Sequence, residues 1–392
     1  MKISPWPKFN SDEINAVTNV LLSGKVNRWT GSETKYFEKE FAEYCGTKYA
    51  VALANGSVAL TAAYESLGLK KGDELITTSR TFIATASCAA ILGLKILFAD
   101  VDRDSGAITP ESIKLLITKN TKAISVVHLG GWPADMVSIC NLARENNLYV
   151  IEDCSQAHGA QIKVGDDMKP VGSFGDISTW SFCQDKIMTT GGEGGIVATN
   201  NKKLWEHIFS HKDHGKNFSS LSKKTNSTSY KWIHDELGTN YRLTELQAAI
   251  GRIQLRNLEQ SISARSKNAF ILYKNLKSLK SLRIPMPNEE VRHAWYKFYC
   301  FIKPKFLKKT WSRDRIVNEI MLKGYPAFSG SCSEIYLEKC FKNLGYFPKE
   351  RLPFAKELGE TSLMFLVHPT ITFEEMNEYS QIIKRIVSEA TL

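Results

Sequence analysis

Lys186 stands in WSFCQDKIMTTGGEGG (Trp180–Gly195), between an apolar, strand-like run and a cluster made by Gly191, Gly192, Gly194 and Gly195. Glycines let a backbone bend sharply or come close to a ligand. A lysine held there can offer its amine to a carbonyl as a Schiff base. A lysine on an ordinary hairpin turn fits this segment equally well. Residues elsewhere in the chain separate the two readings.

Asn55-Gly56-Ser57 follows the apolar run Tyr49–Ala54 and opens a helical pattern. Free backbone N–H groups and the positive helix end meet there, a natural seat for a phosphate, although a plain helix cap has the same signature. Asp153 ends the apolar run LYVIE, and Glu152-Asp153 at the end of a buried strand is costly unless something cationic meets it. Gln156 and His158 lie close by in DCSQAHGA. No second carboxylate cluster supports a magnesium site, and no metal is expected. Phe82, in SRTFIATA, offers an aromatic face, and Ser181 precedes the lysine turn. Taken alone, Phe82 reads as a core residue. Together, a phosphate seat, an aromatic face, a buried aspartate and an amine match the needs of pyridoxal 5′-phosphate. The aspartate would keep the pyridine nitrogen protonated and the ring an electron sink.

These residues need a scaffold that places them side by side. From about residue 49 the chain alternates strand-like runs (Tyr49–Ala54, Glu74–Thr78, Lys95–Ala99, Ala123–Val127, Leu148–Glu152) with helical ones (Ser57–Leu67, Ala84–Leu92, Pro110–Ile117, Met136–Asn146). That alternation predicts an α/β fold with a mostly parallel sheet between helices. Ligands in such sheets bind beyond the carboxyl ends of the strands, where the candidate residues fall. A helix over Lys202–Lys212 and a polar, mobile loop over Gly215–Ser229 follow. Regular apolar spacing predicts one long helix over Leu243–Lys274, bridging two domains. A strand at Tyr299–Ile302 and helices at Arg313–Lys323 and Thr372–Glu389 complete a smaller α+β domain. With 392 residues, two domains are expected, here 1–262 and 263–392.

Five blocks in this order resemble the DegT/DnrJ/EryC1/StrS family of pyridoxal-phosphate-dependent nucleotide-sugar aminotransferases: NGSVAL, HLGGWPADM, EDCSQAHGA, SFCQDKIMTTGGEGG and GTNYRLTELQAAIG. The likeness covers essentially the whole chain. It implies the fold-type I aminotransferase fold, with Lys186 as the Schiff-base lysine and Asp153 as partner of the pyridine nitrogen. Gln156 would contact the ring hydroxyl, Phe82 would stack on the ring, and Gly56, Ser57 and Ser181 would hold the phosphate. Asn240 would reach the phosphate of the other subunit, making a homodimer with shared sites, and Arg242 would lie near the same interface. The chain departs from the family at Cys183, where many members carry His or Tyr; a small buried side chain is the expectation.

The resemblance implies a two-stage exchange: L-glutamate leaves its amine as pyridoxamine 5′-phosphate, and a nucleotide-linked keto sugar collects it. The expected acceptor is a UDP-linked 4-keto-6-deoxy-N-acetylhexosamine, aminated at C4 for bacterial O-antigen or other surface polysaccharide. Segments such as VNRWTGSETKYFEKEFA and GYPAFSGSCSEIYLEK resemble those of polysaccharide-locus members. A dTDP- or GDP-4-keto-6-deoxyhexose and a UDP-3-keto sugar are the alternatives. Arg28, Lys216 and Arg242 are candidates for the diphosphate, or else plain surface charge. Relatives of this fold that dehydrate sugars carry histidine in place of the lysine, and Lys186 argues against that reaction.

A net charge of +10 invites a nucleic-acid partner. The excess is lysine spread along the chain, as in KPKFLKKTW, with no nucleic-acid-binding motif. Residues 1–48 are too short for a winged helix and linker, so a fused DNA-binding regulator, the alternative from a different class, is not the expectation. A nicotinamide enzyme would want G-x-G-x-x-G where NGSVAL stands. The eight cysteines form no C-x-x-C pair, so neither zinc nor a disulfide framework is expected. The start MKISPWPKFNSDEINAV has no signal-peptide core, and no run spans a membrane, so a cytoplasmic protein is expected.

Overall fold

The computed structural model describes residues 2–218 and 233–392. Its main sheet contains β1 (Tyr49–Leu53), β2 (Glu74–Thr78), β3 (Lys95–Ala99), β4 (Thr121–Val127) and β5 (Tyr149–Asp153). A hairpin of β6 (Gln161–Val164) and β7 (Asp167–Pro170) follows, and β8 (Ile177–Ser181) and β9 (Gly195–Thr199) then complete the sheet. The order across it is β1-β9-β8-β5-β4-β2-β3. β2, β3, β4, β5 and β8 pair in parallel. β9 runs against both its neighbours, with Gly195 opposite Leu53 on one side and Ser181 on the other. All residues of β2, β8 and β9 are buried, as expected for strands covered on both faces.

Each strand feeds two cores. Val150 joins the one built around Phe37, Phe41, Trp180 and Phe182, whereas Ile151 joins the one around Leu53, Leu60, Tyr64 and Val197. Successive strand residues face opposite sides of a sheet. Glu152 and Asp153 therefore part company, and only Asp153 reaches the ligand side.

A second, antiparallel sheet joins β10 (Leu282–Arg283), β12 (Phe298–Ile302) and β13 (Ser362–Phe365). It packs with helices Arg313–Leu322 and Phe373–Ala390 around Phe298, Phe365, Tyr379 and Ile383. The short β11 (Val291–Arg292) pairs instead with β6. The long helix expected over Leu243–Lys274 is two helices, Glu245–Arg256 and Leu258–Leu276. Asn257, at φ −91° and ψ 2°, closes the first through its N–H to Ile253 and Leu255. Apolar spacing continues through that residue, so periodicity alone does not register the break. Helix Leu258–Leu276 begins in the Phe37–Trp180 core with Leu258 and Ile262 and ends in the core of the antiparallel sheet with Leu272 and Leu276. The expected boundary at 262/263 falls inside it. Of the expected loop Gly215–Ser229, the part from Ser219 onward lies outside the described residues.

The chain's first residues belong to the core of the antiparallel sheet. Ile3 packs into it, Lys2 N–H donates to Gly324 (2.9 Å), and Ser4 donates to the Glu375 carboxylate. Among the described residues no helix is long and apolar enough to cross a membrane, and all eight cysteines are unpaired.

Candidate active site

The phosphate seat comes from a strand-to-helix turn. Asn55 caps helix Gly56–Ser66 by accepting from the Val58 N–H (2.9 Å), which leaves the Gly56 and Ser57 N–H groups without helical acceptors. Gly56 is required by a close approach: a Cβ there would stand 2.6 Å from Ser181 Cβ. At Gly195 a Cβ would overlap the Asn55 carbonyl. The glycine cluster therefore lets the lysine segment close onto the phosphate seat. Gly191 and Gly192, at φ 87° and 126°, turn the chain back within it.

Asp153, 4% exposed, accepts from the Thr85 hydroxyl (2.7 Å) and the Ser155 N–H (3.1 Å). Glu152, on the other side of the sheet, meets no lysine or arginine among the described residues. It accepts from the N–H groups of Gly172, Phe174 and Gly175 (2.7–2.8 Å) and from His128 Nε2 at 3.2 Å. His128 Nδ1 already accepts from the Ala134 N–H, so the ring proton is on Nε2. Four donors stand where the sequence led us to expect a cation, and turn backbone supplies three of them. His158 is buried between Trp180 and Phe182, and burial lowers its imidazole to about 3. It is a core residue.

Lys186 sits in a turn closed by its own N–H to the Cys183 carbonyl (3.0 Å), and its carbonyl accepts from Trp6 Nε1 (2.9 Å). Its Nζ lies 5.2 Å from the centroid of the Tyr296 ring. The Tyr296 hydroxyl donates to the Asp185 carboxylate, and Lys297 Nζ is 3.9 Å from the same group. Against the upward pull of burial, Lys186, Tyr296 and Lys297 hold the Asp185 carboxyl below its usual range. Burial, aided by Asp185, raises the Tyr296 phenol well above its own.

Lys186, Asp185, Tyr296 and Lys297 border one cleft of about 1140 Å³. Gly56, Ser57, Phe82, Asp153, Gln156, Ser181 and Lys186 line it. Phe82 is 64% exposed, so it is not the core residue its type suggests, and its ring is free to stack. Gln156 spends its carbonyl oxygen on the Gly130 N–H (2.8 Å), leaving its amide group for the cleft. Cys183 lines the cleft half-buried rather than buried.

Four expected residues do not border it. Arg28 is buried in an ion pair with Glu38 (2.6 Å) against the Phe209 ring. Lys216 and Arg242 both hold the Asp213 carboxylate, at 2.9 and 2.7 Å. Within one chain these three are internally paired and turned from any diphosphate in the cleft. Asn240 is exposed, with its side chain accepting from the Arg242 N–H (3.3 Å). The sequence reading missed Thr85, Asp185, Tyr296 and Lys297. Thr85 falls one helical turn after Phe82 and Asp185 stands beside Lys186 in the same quoted block, signals that were available; Tyr296 and Lys297 lie in none of the five blocks.

The residues present fit pyridoxal phosphate. The helix start with Ser57 and Ser181 supplies donors for a dianion, Asp153 supplies an anion for a protonated ring nitrogen, and Lys186 supplies the amine between them. The tight Gly56–Ser181 approach keeps the donor groups of the seat at its surface.

Known proteins agree with this geometry. The family model for DegT/DnrJ/EryC1/StrS aminotransferases matches residues 7–384. The chain is 38% identical over 351 residues to GDP-perosamine synthase of Escherichia coli O157:H7, covering 89% of each. The solved structure of the aminotransferase from Psychrobacter cryohalolentis matches with a TM-score of 0.96 at 48% identity, over 99% of both chains. That of 3-amino-5-hydroxybenzoic acid synthase gives 0.87 at 27%, again over 99% of both. The chain therefore belongs to the DegT/DnrJ/EryC1/StrS aminotransferase family and is a pyridoxal-phosphate-dependent, fold-type I nucleotide-sugar aminotransferase.

Proposed function

We propose that the protein moves an amino group from L-glutamate to C4 of a UDP-linked 4-keto-6-deoxy-N-acetylhexosamine, for a bacterial surface polysaccharide. The observation that carries the reading is the single cleft that joins a phosphate seat, Asp153 and Lys186. Its far wall supports the choice of sugar: Phe328, Ile335, Met364 and Leu366 offer apolar company to a deoxy-sugar methyl and an acetamido methyl. Other relatives are named for different nucleotides, among them a dTDP-3-amino-3,6-dideoxy-galactopyranose transaminase and a UDP-N-acetyl-3-dehydro-glucosamine 3-aminotransferase. The base is accordingly the part that needs a direct test. Keto-sugar nucleotides on UDP, dTDP and GDP, each supplied with L-glutamate and followed by mass spectrometry of the product, should show the UDP N-acetyl sugar turned over fastest. A GDP or dTDP sugar in first place would overturn the choice.

When bound, pyridoxal phosphate supplies the electron sink that lets a proton leave the carbon next to an amine. The chain does the rest. Gly56, Ser57 and Ser181 hold the phosphate, and Phe82 covers the ring. Asp153, fixed by Thr85 and Ser155, holds the ring nitrogen's proton. Lys186 Nζ takes the proton from the α-carbon of the donor and, in the second stage, returns one to the sugar carbon that receives the amine.

We further infer a homodimer in which Asn240 of the partner subunit completes the phosphate seat. Its exposure, away from its own chain's cleft, supports this. Asn240→Ala and Lys186→Ala chains, each inactive alone, should regain part of the activity when mixed and refolded together. Absence of recovery counts against a shared site.

A further inference from the structure

The cleft holds a second amine. Among the described residues, Lys186 and Lys297 are the only basic side chains that line it, beside Asp153, Asp185, Glu193 and Glu338. An enzyme whose substrates are a dicarboxylate and a diphosphate needs more positive charge than that. The Lys297 backbone N–H reaches the Gly130 carbonyl (3.4 Å), which ties this residue to the loop after β4. Its side chain is 14% exposed. The ammonium makes no hydrogen bond to another described residue. Its sole ionic contact among the described residues is Asp185, at 3.9 Å, and that carboxylate already accepts from Tyr296. Three N–H donors in a largely buried place are costly to leave unmet. Burial lowers the Lys297 ammonium to about 8, opposed by Asp185 and reinforced by Arg265 and Lys186, so it stays mostly cationic at neutral pH.

Its position narrows the anion. Lys297 Nζ lies 4.5 Å from the centroid of the Tyr296 ring, and Lys186 Nζ lies 5.2 Å from the same centroid. The two amines thus share one aromatic neighbour. A donor amino acid carries its α-carboxylate one bond from the reacting carbon, and the second carboxylate of glutamate follows a short chain away. A sugar nucleotide places its diphosphate across the sugar ring, toward the open side of the cleft.

We propose that Lys297 receives a carboxylate of the amino donor and so sets the donor's α-carbon against Lys186 Nζ. The proposal rests on the reading of this site as a glutamate-using aminotransferase. Lys297 touches the substrate without taking part in proton transfer, so its loss acts on one stage of the reaction. Asp185, anchored by the Tyr296 hydroxyl, keeps the ammonium in place while leaving its donors open to the cleft.

Lys297→Met keeps the length and apolar stem of the side chain and removes the charge. Lys297→Arg keeps the charge. Cofactor content and melting temperature would first establish that both variants are loaded and folded. Rapid mixing of the loaded enzyme with L-glutamate alone reads the first stage, and mixing of the amine-loaded form with the keto sugar alone reads the second. In Lys297→Met the L-glutamate concentration for half-maximal rate should rise about 10–100-fold, the size of one charge-assisted hydrogen bond, with the second stage unchanged. Lys297→Arg should recover most of it. Calorimetry provides a readout apart from turnover: glutarate, a dicarboxylate without the amine, should bind the loaded Lys297→Met enzyme more weakly by a similar factor. L-alanine, which lacks the side-chain carboxylate, separates the two carboxylates: an equal loss points to the α-carboxylate, and no loss to the distal one. Equal slowing of both stages with unchanged glutarate binding would overturn the proposal and leave Lys297 as a counter-ion to Asp185. A wild-type enzyme that takes its amine from another donor and ignores L-glutamate would instead refute the underlying donor assignment.

Discussion

Lys186→Ala protein, saturated with pyridoxal phosphate, is expected to lose transamination by roughly ten-thousand-fold or more. On the proposed mechanism one nitrogen does two jobs: it holds the cofactor, and it moves the proton in both stages. The site offers little cover for its loss. Asp153 is engaged by Thr85 and Ser155, the Tyr296 phenol is held protonated, and His158 is walled off between Trp180 and Phe182. Lys297 is the one other amine in reach among the described residues, and so the one group that could stand in. Borohydride treatment of the wild-type holoenzyme followed by peptide mapping reads the assignment directly. Label should appear on the peptide containing Lys186. Label on the Lys297 peptide would overturn the central assignment and recast the second amine.

Asp153 carries the second large effect. Breaking a buried ion pair by removing one partner costs about 3–5 kcal/mol, or roughly 150- to 5,000-fold in rate when it falls on the transition state. Asp153→Asn separates charge from packing, because its amide oxygen can still accept from the Thr85 hydroxyl. That variant should fold and keep part of its cofactor through the Gly56–Ser57 seat, yet lose most of its turnover. Asp153→Ala should be slower still and hold the cofactor more weakly. An Asn variant as fast as wild type would show that the ring nitrogen needs no anion here. Thr85→Val would then be the informative partner, since it frees the carboxylate without removing it.

Much of this architecture could be read from apolar spacing, and the reasons are local. A strand such as Tyr49–Leu53, followed at once by an N-capping Asn and a helix, announces a ligand-facing turn within ten residues of sequence. Asp153 and Lys186 were legible for a similar reason: a carboxylate ending a buried strand and an amine framed by glycines are each costly without a purpose. What escaped were contacts made across the fold. Tyr296 meets Asp185 from 111 residues away, bend against turn, and neither residue breaks a pattern. The break at Asn257 escaped because a well-capped helix end can leave the apolar rhythm intact. Arg28 misled because a basic residue in a polar stretch gives no hint that Glu38, one helix along, will bury it. Glu152 misled in a subtler way. A buried carboxylate demands donors, and composition cannot reveal that the donors will be backbone amides of a turn some twenty residues later.

The reversed strand β9 has a mechanical consequence. Because it runs against both neighbours, its first residue, Gly195, stands opposite Leu53, which leads into the phosphate turn, and opposite Ser181, which leads into the lysine turn. The two halves of the phosphate seat, the Gly56–Ser57 turn and Ser181, thus hang from one hydrogen-bonded ladder with strands about 4.8 Å apart. That ladder works as a stiff clamp, with Gly195 as its pivot. A change that loosened β9 would open the seat from both sides at once.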